Sequence, residues 1–286
     1  MNEISQPQRP QHPQYPGQWQ PLLTAGEVLR ESLQTFRANF GPVMLIHLFW
    51  SFLPLALSIF AAVSLESTEE SFKQAKILND FGGVLQFLFS IPAQGAVVLL
   101  VVAYQEGKKV PVGTSFAQGF RTLGPVLLVS WAVGILVAGI ALLSLVPAAI
   151  LIQVAKMPLI MMVFFLIPAL IVLMALSVAV PVTVMEGKGV RESLERSRDL
   201  TQDCRWTIFS TIFFLGIAQM IITEGFSLVL LVPGELYRTF PRFIIVTSCL
   251  NVVFIAFQAV MIAVVYTMLK KLKDRSIPEQ LADVFR

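Results

Sequence analysis

Six stretches of this chain contain no Asp, Glu, Lys or Arg: 42–65, 81–105, 122–155, 157–185, 206–223 and 243–269. A helix needs about 20 predominantly apolar residues to cross a hydrocarbon core roughly 30 Å thick. Five of the stretches exceed that length, and 206–223 reaches it with its flanks. Water inside lipid is too scarce to satisfy bare peptide groups, so each segment must satisfy its backbone internally, as a helix does. Six long helices in one soluble core would need polar helices to cover them. With 56% apolar and 14% charged residues, against about 45–50% and 25% in ordinary globular chains, the sequence has too few. The expectation is an all-α integral membrane protein with spans near 42–64, 81–104, 124–146, 158–185, 206–225 and 243–269. A tail at 1–21 precedes a membrane domain at 22–275, and a short tail at 276–286 follows it.

The 21 Lys and Arg residues set the expected orientation. With both ends inside, 16 of them fall in cytoplasmic segments, and only Lys73, Lys76, Lys156, Arg238 and Arg242 fall on the opposite side. Basic residues are retained on the cytoplasmic side, so the N- and C-termini are predicted to be cytoplasmic. The first 21 residues, with Pro7, Pro10, Pro13, Pro16 and Pro21 among glutamines, lack the apolar core of a secretory signal and read as a disordered tail. Cys204 and Cys249 are expected at opposite ends of the bundle, with no disulfide or metal-binding spacing between them.

One unit recurs about every 80 residues. Gly26 precedes Arg30-Glu31-Ser32-Leu33, and Glu186-Gly187-Lys188 precedes Arg191-Glu192-Ser193-Leu194. Glu106-Gly107-Lys108 lies between them. Phe36-Arg37 before Gly41-Pro42-Val43 echoes Phe120-Arg121 before Gly124-Pro125-Val126. The expected unit is a cytoplasmic interfacial amphipathic helix followed by a transmembrane hairpin, three times over. Thr24 and Glu27 form a capping box for the first such helix, with Leu29, Leu33, Phe36 and Phe40 at helical spacing. The second lies near 114–123 and the third near 189–203, both expected in the headgroup layer. Pro147 is expected to interrupt the long third stretch, Lys156 and Pro158 to turn it, and 234–242 to form a polar loop. The segment after span six, around Pro278, is expected to add a separate short helix.

Soluble-enzyme signatures are absent: the sequence contains no P-loop, GxGxxG, GxSxG or HExxH. No catalytic residue, metal site or cofactor is assigned, and Glu66, Glu69 and Glu70 read as a solvated face. Within the spans the candidate polar contacts are His47, Gln86, Gln94, Asn251 and Gln258, accompanied by Gln219 and Thr223. Hydrogen bonding between packed helices accounts for such residues, as does a solute path. A polar cavity joining Gln86, Gln94, Asn251 and Gln258 would favour transport, and a dry centre would favour a scaffold.

The most specific run is Pro181-Val182 through Glu186-Gly187-x-Gly189 to Leu194-x-Arg196-Ser197 and Leu200-Thr201. With Gln94-Gly95-Ala96 and the Gly-Pro-Val entry to span three, it resembles the bacterial membrane-domain family associated with glycerophosphoryl diester phosphodiesterases, and the uncharacterised YciC-like proteins. It departs from that pattern at Ser193, where Ala is common. The resemblance implies a polytopic membrane domain of a bacterial inner membrane and not a catalyst, since the phosphodiesterase chemistry there belongs to a separate soluble barrel. Two readings of Glu186, Arg191, Arg196, Ser197 and Arg198 stand open: a salt-bridged elbow docking the third short helix, or a site for anionic lipid headgroups. The expected function is a non-catalytic, lipid-associated or scaffolding protein of the cell envelope. Small-solute or lipid transport is the alternative, and a membrane enzyme acting on lipid headgroups a third reading. Membrane lipids and other membrane proteins are the expected partners, with no nucleic acid.

Overall fold

A computed structural model describes residues 23–63, 69–155, 166–230 and 236–284. The expected disordered tail and the turn at Lys156 and Pro158 lie outside these residues. The described chain is helical, with no strand. Its helices are α1 (Ala25–Ala38), α2 (Phe40–Val63), α3 (Glu69–Gln105), α4 (Val112–Arg121), α5 (Leu123–Ala155), α6 (Ile167–Ala175), α7 (Ala179–Glu186), α8 (Val190–Thr201), α9 (Arg205–Leu230) and α10 (Leu236–Val284). Six apolar segments among them are long enough to cross a membrane: α2, α3, α5, α6 with α7, α9 and α10.

Three local expectations are corrected. Helix α5 runs unbroken through Pro147. A proline removes one helical hydrogen bond and crowds one carbonyl, but in lipid the remaining peptide groups are still best satisfied by continuing the helix. The break falls instead in span four, between Ala175 and Ala179. Pro181 has no N–H for the Ser177 carbonyl four residues back, and its ring crowds that carbonyl. Ser177 turns its hydroxyl onto the Met174 carbonyl at 2.8 Å, a local bond that competes with the helical ladder. Finally, α10 begins at Leu236 and continues to Val284, so part of the expected polar loop and the expected separate short helix are both extensions of span six.

The second, fourth and sixth spans form the interior. Of the most apolar stretch of each, 67%, 50% and 61% is buried, against 39%, 11% and 11% for the first, third and fifth. Helices α2 and α3 run antiparallel, since Ser51 meets Gln86 while Ser58 lies against Gly82. Contacts of Gln105 with Thr267, and of Glu186 with Tyr266, place the C-terminal ends of α3, α7 and the apolar part of α10 together. At that end the interior is closed by small and β-branched side chains, among them Val97, Val101, Val182, Ala256, Val260 and Val264, none more than 2% exposed.

The short helices α1, α4 and α8 gather at this same end, each directly before a span. Helix α1 starts at the expected capping box: Thr24 Oγ1 accepts from the Glu27 N–H at 3.2 Å, and Glu27 Oε2 accepts from the Thr24 N–H at 2.9 Å. Helix α4 packs so closely on α3 that a Cβ on Gly119 would lie 3.0 Å from Ala96 Cβ and 3.2 Å from the Pro92 carbonyl. Two returning helices end alike. Gly107 after α3 and Gly187 after α7 take left-handed φ values of 73° and 63°, where a side chain would be strained. Each is flanked by an ion pair, Glu106–Lys108 at 2.7 Å and Glu186–Lys188 at 2.6 Å.

Candidate functional site

At the end of the bundle opposite the short helices, the packed pair α2 and α3 and the pair α9 and α10 together line a cleft of about 230 Å³. Helix α2 contributes Pro54 and Ser58, α3 contributes Asn79, Gly82 and Gln86, α9 contributes Gln219 and Thr223, and α10 contributes Thr247, Ser248 and Asn251. Among the described residues the lining carries amides and hydroxyls and no charged side chain. The spacing explains the convergence. Gln219 with Thr223, and Thr247 with Asn251, are four residues apart and share one face of their helices. Gly82 brings α3 against α2, because a Cβ there would lie 2.9 Å from Ser58 Oγ.

The floor of the cleft is a buried hydrogen bond: Gln86 Nε2 donates to Ser51 Oγ at 2.8 Å. One turn deeper on α2 lies His47, fully buried, with Nδ1 3.2 Å from the Val43 carbonyl and Nε2 without a hydrogen-bond partner among the described residues. Across the cleft Gln219 Nε2 donates to Asn251 Oδ1 at 3.4 Å, a long contact that leaves both amides capacity for other partners. Below His47 the closed interior begins. Of the expected intramembrane polar residues, the structure therefore joins Gln86 and Asn251 in one cleft and sets His47 beneath its floor. Gln94 is half-buried and Gln258 exposed, and neither lines the cleft. Asn79, Thr247 and Ser248 line it without having stood out in the sequence. Their signal was depth: each lies near the same end of its span.

The second locus is the elbow after α7. Glu186 Oε2 holds Lys188 Nζ at 2.6 Å, while its Oε1 faces Arg196 Nε at 3.6 Å and accepts from Tyr266 Oη at 3.3 Å. Helix α8 turns a hydroxyl face inward. Ser197 Oγ and Thr201 Oγ1 donate to the Ala175 carbonyl at 2.9 and 3.1 Å, satisfying an acceptor at the break in span four. Arg191 instead pairs with Glu195 at 2.9 Å on the exposed face, and Arg198 is exposed. Tyr266 is the partner the sequence did not single out. At the next junction burial, aided by the neighbouring Asp203 carboxylate, pushes the Cys204 thiol above its usual range, so that thiol stays protonated. Among the described residues there is no group of three or more His, Cys, Asp or Glu placed to hold a metal ion.

No family model, curated protein or solved structure matches the chain.

Proposed function

We propose that this is a non-catalytic multi-pass membrane protein with both termini cytoplasmic, which receives a small, uncharged, hydrogen-bonding group in the cleft at its outer end. The carrying observation is the cleft itself: amides and hydroxyls from four helices converge on a closed floor at Ser51 and Gln86. An uncharged lining suits a neutral polyol or a neutral headgroup fragment, because a charge there would meet no counter-charge in a medium that screens poorly. In this reading α1, α4 and α8 are interfacial amphipathic helices. The chain is then three copies of a short helix followed by a hairpin, supported by the paired Glu-Gly-Lys junctions and by the alternation of outer and inner spans. The arginine-rich run after α7 is the elbow that docks α8. The resemblance to the phosphodiesterase-associated membrane domains fits a binding or scaffolding role in the inner membrane.

Transport is the second reading, favoured by the meeting of Gln86, Gln219 and Asn251. It requires the packing of Val97, Val101 and Val264 to open. One experiment separates the two. In a background lacking Cys204 and Cys249, single cysteines at Ser58, Thr223 and Ser248 are expected to react with a membrane-impermeant thiol reagent added outside. Cysteines at Val97 and Val264 are expected to stay protected from both sides. Labelling of Val97→Cys or Val264→Cys hands the case to transport, and no labelling at the three outer sites removes the cleft.

A further inference from the structure

An apolar groove of about 330 Å³ runs between α6 and α9, well away from the cleft. Its wall on α6 is Ile167, Leu170, Ile171 and Met174, a stripe at helical spacing. Trp206 and Phe209 form the facing wall, and Arg205 closes one end. Both walls belong to membrane-spanning segments, and Arg205 is the first residue of its span. The Arg205 Nε is buried and has no hydrogen-bond partner among the described residues. Asp203, the adjacent carboxylate, is engaged by Lys273 at 3.8 Å. The neighbouring arginines differ, since Arg191 pairs with Glu195 and Arg196 faces Glu186. Trp206, 82% exposed beside Arg205, stands where indole rings settle at the headgroup boundary.

We propose that one anionic phospholipid occupies this groove, its acyl chain along the α6 stripe and its phosphate on the Arg205 guanidinium. The order of the groove selects the occupant. Whatever fills it must be apolar against Ile167, Leu170, Ile171 and Met174 and anionic beside Arg205 at the membrane boundary. A phosphodiester headgroup on an acyl chain has these features in that order. The assignment does not depend on what enters the cleft.

The test is retention of lipid by the full chain reconstituted with equal parts phosphatidylglycerol and phosphatidylcholine, then delipidated stepwise in detergent and read by native mass spectrometry. One phosphatidylglycerol per protein is expected to persist, in preference to phosphatidylcholine. Arg205→Gln should weaken retention about fivefold, the share of one basic side chain at an anionic headgroup. Leu170→Trp, which fills the groove from a membrane-facing position, should abolish it, and Arg198→Gln should leave it unchanged. Equal retention of both lipids overturns the proposal, as does phosphatidylglycerol retention undiminished in both Arg205→Gln and Leu170→Trp. A dimer cross-linked through Leu170→Cys would show a second copy on this face, and would overturn it too.

Discussion

The hydroxyls of Ser197 and Thr201 do a task the backbone of span four leaves undone. At the break in that span the Ala179 N–H turns to the Leu176 carbonyl, and the Ala175 carbonyl takes its donors from α8 instead. Ser197→Ala or Thr201→Val should each cost about 1 kcal/mol, and the double variant more than the sum, because the carbonyl is then buried without a donor. Thermal unfolding in detergent measures this, and strictly additive losses would show that the two hydroxyls do not share the acceptor. Glu186 is a stronger case. Removing it in Glu186→Ala leaves Arg196, Lys188 and Tyr266 without their common acceptor, and about 1–3 kcal/mol of destabilisation is expected for this partly exposed cluster. A residue in the first short helix carries a pH signature. The Thr24 hydrogen bonds hold the Glu27 carboxyl below its ordinary value of 4.5. A depressed carboxyl stabilises the fold above its unfolded value and loses that contribution as pH falls through the folded value. Amide exchange at the start of α1 should therefore quicken as pH drops below the ordinary carboxylate range, after correction for intrinsic rates. Glu27→Gln, which keeps an acceptor for the Thr24 N–H, should flatten that dependence.

Between helices, glycine decides how near two axes come. Gly119 of α4 has no space for a methyl group between Ala96 and the Pro92 carbonyl of α3, whereas Gly113, in the same helix, has nothing within 4 Å of its would-be Cβ. Gly119→Ala should thus destabilise by about 1–3 kcal/mol through overpacking, and Gly113→Ala should be neutral or gain up to about 1 kcal/mol of helix propensity. A melting temperature that falls equally for both would mean α4 does not rest on α3 as described. This level was partly legible in the sequence. The capping box of α1 and the apolar spans followed from residue type and spacing alone, because both depend on neighbours within a few positions. The break at Ser177 did not, although Pro181 was in plain view: Pro54, Pro92 and Pro147 sit inside helices that continue. Whether a span breaks depends on who can take the carbonyls left over, and here the takers of the Ala175 carbonyl, Ser197 and Thr201, lie 22 and 26 residues downstream of it.

Across the whole molecule the two ends differ in kind: small side chains seal one, and amides and hydroxyls line the other. The cleft could be read only in fragments from the sequence. Gln86 and Asn251 stood out as isolated polar residues, but Gln94 and Gln258 looked equivalent until the depth and rotation of each helix were known. Orientation links this asymmetry to the cell. Apart from Lys73, Lys76, Arg238 and Arg242, the described basic residues lie toward the sealed end, and in the proposed orientation, which keeps basic segments cytoplasmic, the cleft opens outward. Cysteines replacing Lys188 and Lys270 should then be shielded from an impermeant reagent in intact cells and react after permeabilisation, while a cysteine at Lys76 should react in both. Lys188 lies beside Glu186 and is 35% exposed at its side chain, enough for a thiol there to meet the reagent once the membrane is breached. If Lys188→Cys and Lys270→Cys reacted first and Lys76→Cys only after permeabilisation, the cleft would open to the cytoplasm. Its ligand would then have to be sought among cytoplasmic molecules.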